Sequence, residues 1–165
     1  NVLQTTIDHI TEEGLNQSAS NAFEAGTIIV ATRMAVGATV RLGRRMAINQ
    51  DLKAVLPSNA IANNFLYYHV KMSETKLSAL GTGSTVKGIV LDDLKRLPIY
   101  LPKSLEEQAV IARALDDAAD EVATLTSNIT KLRTEKKALM QQLLTGKRRE
   151  EGGGGRILGL YRLCG

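Results

Sequence analysis

Tryptophan is absent from this 165-residue chain, aromatic residues make up 4% of it, and there is a single cysteine. Without large rings, the core has to rest on Leu, Ile, Val and Ala. Cys164 alone excludes an intrachain disulfide and any cysteine-cluster metal site, a usage that suits a reducing cytoplasm. No apolar run approaches the roughly 20 residues needed to cross a bilayer, so no membrane partner is expected. The opening NVLQTTIDHITEEG has no basic stretch followed by an apolar one, so no signal peptide is expected. It also lacks an initiator Met, and the chain is expected to be part of a longer protein.

What is present is ordinary in bulk. Hydrophobic residues make up 44% and charged residues 23%, enough for one buried core and against global disorder. The net charge of +4 hides an uneven distribution. Before residue 26 every charged side chain is an acid: Asp8, Glu12, Glu13 and Glu24. Between 26 and 103 eleven Lys and Arg stand against four Asp and Glu, whereas between 104 and 145 five stand against seven. The middle segment therefore carries a field that would draw a polyanion, with a solvated basic surface as the plain alternative.

Along residues 1–103, short apolar runs alternate with turn residues. TIIVA (27–31) and ATVRL (38–42) read as strands joined across TRMAVG, where Gly37 can take a positive φ. MAINQDLKAVLP (46–57) reads as a further strand pair or one long strand ended by Pro57. NNFLYYHVKM (63–72) reads as a short helix capped by Asn63 or Asn64, and LPIYLP (97–102) as a strand bracketed by prolines.

From residue 104 the pattern is clearer. Ser104 is a natural N-cap with Glu107 three residues on, a capping box. Ile111, Leu115, Ala118, Val122, Leu125, Ile129, Leu132, Lys136, Leu139 and Leu143 then alternate spacings of four and three, a heptad seam interrupted only by Lys136. Gly146 ends the helix as its C′ residue. A narrow stripe on a long rod needs a partner helix, and no second heptad segment exists in the chain. We therefore expect a coiled coil with a helix from outside it, rather than a helix folded back on its own domain. The prediction is an α+β fold: a small mixed α/β domain over 1–103, one long coiled-coil helix over 104–146, and a basic, Gly-rich tail over 147–165, expected to be disordered or non-native.

No catalytic constellation is visible. GTGSTVKGI (81–89) has the composition of a phosphate cradle, but Lys87 is followed by Gly88 and not Ser or Thr, and Val86 stands where a third glycine would complete G-x-G-x-x-G. A nucleotide-dependent enzyme is thus disfavoured, although a hydroxyl-rich loop with Lys87 could still present N–H groups to a phosphate. His9 and His69 have no acid or cysteine nearby at metal-ligand spacing. Asp92 and Asp93 read as caps of a short helix beginning near Leu94. Neither a metal nor any other cofactor is expected, nor enzymatic activity of the chain itself.

Taken together, TIIVATRMAVGATV, MAINQDLKAV, FLYYHVK, GTGSTVKGIVLDDLKRLPIYLP, LEEQAVIARALDDAADEV and KKALMQQLLTGKRR closely resemble the C-terminal part of the specificity subunit of type I restriction–modification systems, from about Gly26 to Arg149. The resemblance implies a target recognition domain, here N-terminally incomplete, followed by a spacer helix. It implies a non-catalytic subunit that reads one half of a split double-stranded DNA target and scaffolds the modification (methyltransferase) subunits, with a restriction motor subunit joining them. The seam would pair with the spacer helix of another half or of a second copy, giving a homodimer. Within that framework Arg33, Arg41, Arg44 and Arg45 are the candidates for groove edges or phosphates. Thr82, Ser84, Thr85 and Lys87 are candidates for the DNA backbone, and Asn49 and Gln50 could read adenine. A coiled-coil interaction protein whose basic face is incidental is the alternative.

Overall fold

The computed structural model describes residues 2–80, 88–89 and 91–148. The chain forms two compact units, with the boundary between Asp117 and Ala118. As expected, a small α+β domain is followed by one long helix.

The first unit is built on two sheets. Strands β1 (Val2–Leu3), β3 (Ile28–Ala31), β4 (Thr39–Leu42) and β6 (Leu52–Val55) form one sheet in the order β1-β4-β3-β6. β1 runs parallel to β4, and β3 is antiparallel to both β4 and β6, with Ile29 opposite Val40 and Ala54. Strands β2 (Asn21–Phe23) and β5 (Met46–Ile48) pair antiparallel in a separate ribbon. The segment before residue 26 thus supplies two strands and the short helix α1 (Glu12–Asn16), which Thr11 caps by accepting from the Gly14 N–H at 3.0 Å.

Strand β3 lies inside the sheet because Ile28, Ile29 and Val30 are β-branched and the strand is apolar on both faces, the composition of a strand covered on both sides. Ile28 and Val30 point to the face covered by helices α2 (Asn63–Met72) and α3 (Glu74–Leu80). There they form the core with Leu66, Tyr67, Val70, Leu77 and Ile89. In α2 the buried residues are Leu66, Tyr67 and Val70, at helical spacing.

Four expectations are corrected. Residues 46–57 form two strands, but these do not pair with each other: β5 joins β2 and β6 joins β3. The turn between them is held by Thr32, whose N–H and hydroxyl both donate to the Asp51 carbonyl, at 2.8 and 2.9 Å. Helix α2 is not capped by asparagine. Its N-cap is Ala62, with no side-chain cap bond, while Asn63 donates to the Gly26 carbonyl at 2.8 Å. Residues 97–102 form no strand, since Pro98 and Pro102 lack the donors a ladder needs. Asp92 and Asp93 lie inside the first turn of α4 (Leu91–Lys95), where their charges suit the positive end of the helix, and not ahead of it.

Helix α5 (Leu105–Leu144) spans 40 residues, roughly 60 Å at 1.5 Å per residue. Ser104 caps it by accepting from the N–H groups of Glu106 and Glu107, at 3.1 and 3.4 Å. Within the first unit, its opening turns pack on the domain through Gln108 and Ala112, both buried, and half-buried Asp116. Among the described residues no helix is long and apolar enough to cross a membrane.

Candidate nucleic-acid interface

The four arginines singled out in the sequence are not brought together. Strand β4 carries Arg41, with the β3–β4 loop at one end and Arg44 and Arg45 just beyond the other. A four-residue strand separates the two ends by about 13 Å. Arg44 is exposed, with no ion pair among the described residues. Arg45 pairs with Glu12 and, at 3.5 Å, with Glu24, and the Glu12 carboxylate raises its guanidinium above the ordinary value.

At the loop end, Arg33 is exposed and lies 3.5 Å from Asp51 Oδ1. That contact is electrostatic only, because the buried Asp51 Oδ1 has no hydrogen-bond partner among the described residues. The turn Asn49–Asp51 reaches the same rim. Asn49 accepts from the Asp51 N–H at 3.1 Å, and both Asn49 and Gln50 are exposed. The Ile89 N–H donates to the Thr32 carbonyl at 3.0 Å, which places the exit of the glycine-rich run on this rim too. Thr82, Ser84, Thr85 and Lys87 lie outside the described residues. Arg33, Asn49 and Gln50 therefore share one polar edge, and an open cleft of about 460 Å³ runs from Asn49 and Gln50 past Lys53 toward Phe23.

Arg41 has a different place. Its side chain is only 16% exposed and its guanidinium donates to Asp116 Oδ1 at 2.8 Å. It lies 4.3 Å over the Tyr67 ring, a cation–π contact, and its buried Nε has no hydrogen bond among the described residues. The same Asp116 oxygen accepts from the Tyr68 hydroxyl at 2.7 Å, and Asp116 Oδ2 accepts from Asn64 at 3.3 Å. Burial works to raise the Asp116 carboxyl, but hydrogen bonds from Arg41 and Tyr68 outweigh it and hold the group below its usual value. Burial, then the hydrogen bond to Asp116, push the Tyr68 phenol up to about 12. Arg41 thus ties the sheet to α2 and α5.

A second anchor escaped the sequence reading. Gln108 is fully buried, and its amide donates to the carbonyls of Ala60 and Pro102 at 3.1 and 2.9 Å while its oxygen accepts from the Ala62 N–H at 2.8 Å. It supplies from 46 residues away the cap that α2 lacks locally. The stripe Gln108, Ala112, Asp116 has the spacing of one helix face. It is polar, small and acidic in turn, so hydrophobic periodicity does not register it.

In the second unit the predicted seam is open. Val122 is 62% and Leu132 63% exposed, with Leu125, Ile129 and Leu143 also bare, Leu139 half-buried, and Ala118 and Lys136 exposed. Ile111 and Leu115, in the first unit, are half-buried and exposed respectively. Met140 and Leu144, which the heptad count omits, widen the seam beside Leu139 and Leu143. The threonines between need no partner: Thr124, Thr126, Thr130 and Thr134 each donate to the carbonyl four residues back, at 2.8 to 3.0 Å.

Comparison with known proteins gives a consistent result. A family model described as "Type I restriction modification DNA specificity domain" matches residues 2–133. The chain is 48% identical over 61 residues to a putative type I specificity subunit of Mycoplasma pneumoniae, covering 37% of this chain and 16% of the relative. It is 30% identical over 121 residues to the putative type I restriction enzyme MjaX specificity subunit of Methanocaldococcus jannaschii, covering 73% of this chain and 28% of the relative. A chain solved for the structural basis of complex assembly and conformational transition of the type I R-M system superposes with a TM-score of 0.66 at 28% identity, over 75% of this chain and 30% of that one. The present chain thus spans less than a third of the length of each of these proteins.

Proposed function

The chain belongs to the type I restriction–modification DNA specificity family, and from that premise we propose that it contributes one target recognition domain and one spacer helix to the reading of a split DNA sequence. The observation that carries this reading is the single family match over residues 2–133, which runs unbroken through the sheets and α2 and well into α5. A reader of this kind needs a rim that meets base edges and phosphates, and a rigid element that sets the distance to the other half-site. Arg33, Asn49 and Gln50 on one edge suit the first requirement, since Arg can address guanine and Asn or Gln adenine. Arg44, exposed and with no ion pair among the described residues, suits a phosphate contact. Thr82, Ser84, Thr85 and Lys87 keep that role too. Arg41 holds the domain together.

The open seam of α5 suits pairing with a second spacer helix, from another half or another copy of this chain, and the assembled helices would carry the methyltransferase subunits and, through them, the restriction motor. The chain itself supplies recognition and position, with no chemistry of its own, in the cytoplasm where its target lies.

Selection from a random duplex pool, titrated from 50 to 200 mM salt, tests this. Neutralising about three or four phosphates would weaken binding by roughly 40-fold to 150-fold over that range, while one selected half-site persists. A chain that binds no duplex at low salt, alone or with its methyltransferase subunit, is an interaction protein and not a reader.

A further inference from the structure

The loop joining β3 to β4 is pinned on both sides. The Gly37 N–H donates to the Ala31 carbonyl at 2.8 Å, the Ala38 N–H to the Ala35 carbonyl at 2.9 Å, and the Val36 N–H to the Met34 carbonyl at 2.8 Å. Val36 packs against the core. Gly37 has φ +86°, and a β-carbon there would come within 2.8 Å of the Glu74 carbonyl. At the root, Thr32 is bound to Asp51 and Arg33 leans on the same residue. The consequence falls on Met34. It has φ +54°, the one positive φ of a non-glycine residue among those described, and it is 94% exposed.

Both features are unfavourable in the folded chain. A side chain with a β-carbon resists the left-handed region, and an unbranched apolar side chain gains nothing from standing in water. Among the described residues the Met34 side chain is not buried, and the bond its carbonyl accepts from the Val36 N–H holds the backbone in place without covering that side chain. A tight loop that drives Val36 inward and Met34 outward is built to present Met34 to something outside the molecule.

We propose that Met34 is a specificity-determining residue that contacts the 5-methyl group of one thymine in the major groove. The inference rests on the DNA-reading role proposed above. Among base edges in that groove only thymine offers an apolar group, and an exposed thioether chain has no donor or strong acceptor with which to read any other. The neighbours fit the placement: Arg33 precedes it, and Asn49 and Gln50 share its rim, so polar base contacts and an apolar one would fall within the same few base pairs. A wedge between base steps is the other use of exposed methionine. It is less suited here, because Met34 stands on a narrow loop beside the small Ala35, without a broad apolar surface to hold a step open.

The test combines two protein variants with one change in the DNA. The wild-type chain, with its methyltransferase subunit where binding requires it, is first used to select a duplex. Each thymine of that duplex is then replaced by uracil, which removes only the methyl group. Wild type should lose about fourfold in affinity at one position, the transfer value of a buried methyl. Met34→Gly and Met34→Ala should bind the thymine and uracil duplexes alike. Met34→Gly should also keep or raise the Tm, because glycine accepts φ +54° without strain. Discrimination retained in both variants, or a wild type indifferent to every thymine methyl while still selecting a sequence, overturns the inference and leaves the DNA-reading role standing. A large fall in Tm for Met34→Gly would show that the side chain serves the fold. A wild type that selects no duplex removes the role and the inference together.

Discussion

Asp116 is the residue on which most of the polar chemistry of the first unit converges. It accepts from Arg41, Tyr68 and Asn64, which belong to two different elements. Asp116→Asn leaves the shape but removes the charge that faces a guanidinium only 16% exposed. An uncompensated buried charge costs several kcal/mol, and since Asp116 itself keeps 29% exposure we expect a loss of about 2–3 kcal/mol in urea unfolding. The pH dependence has a definite sign. A carboxyl whose folded-state pKa lies below its unfolded value binds fewer protons when folded. Its contribution is therefore present above the ordinary 3.8 and is lost as the pH falls through the lower folded value. Asp116→Asn should flatten that acid limb. Tyr68 acts in the opposite range: its phenol, raised from 10.0 to about 12, stabilises the folded chain fully below pH 10, and that contribution disappears between about pH 10 and 12. Tyr68→Phe should cost about 1 kcal/mol at neutral pH and remove the alkaline loss. A variant with an unchanged alkaline limb would show that Tyr68 titrates freely. Arg41 was legible in the sequence only as one of several arginines in VRLGRR. Its partner stands 75 residues away, and nothing local distinguishes it from Arg44.

At the scale of the element, the start of α5 does more than begin a rod. Ser104 is the cap the sequence predicts, while the second half of a capping box is not formed: the Ser104 hydroxyl donates to Glu106, and Glu107 contributes its N–H. Gln108, one residue further, then closes the N-terminus of α2 and takes up two loop carbonyls. Gln108→Leu keeps the volume but strips the half-buried Ala62 N–H and Pro102 carbonyl of their partner, while the carbonyl of exposed Ala60 can turn to water, so we expect about 2 kcal/mol of destabilisation. Amide exchange should accelerate first at the beginning of α2, and retained protection there would contradict the capping role. Ser104→Ala should cost about 1 kcal/mol, and Gln108→Leu should therefore be the more damaging of the two although Ser104 holds the formal cap. What the sequence makes legible follows the same division. Strands β3 and β4, helix α2 and the full length of α5 carry strong periodicity, and each forms close to where it is expected. The pairing of β5 with β2, and the lack of a ladder at Pro98 and Pro102, depend on partners distant in the chain. Of the candidate interface, the sequence points to Arg33 and to the neighbouring Asn49 and Gln50, which share one rim in the fold. It does not point to Met34, whose singularity is a backbone angle and an exposure that no residue pattern encodes.

At the scale of the whole molecule, the question is what covers the seam. From Val122 to Leu143 it presents apolar side chains at coiled-coil spacing with a lysine in line. Burying such a stripe against a second helix removes apolar surface from water at about 25 cal/mol per Å², whereas the lone lysine weakens the match and restricts the register. A chain carrying this seam is therefore expected to self-associate when no other spacer helix is supplied, with a concentration-dependent mass in sedimentation equilibrium. Ile129→Asp, which puts a carboxylate where a knob belongs, should weaken that association by about 100-fold or more. Lys136→Leu should strengthen it and loosen its register. The first unit provides the internal control, because Ile129 lies outside it. The near-ultraviolet signal of Tyr67 and Tyr68 should keep its native form in Ile129→Asp while the mass falls to that of one chain. If wild type stays monomeric at high concentration and associates only when a different spacer helix is added, the seam is built for an unlike half and the split target need not be symmetric. If two copies pair, each brings the same rim, and two-fold symmetry of the pair requires the two half-sites to be inverted repeats of one another. The mass measurement on this chain thus predicts the symmetry of the DNA it selects.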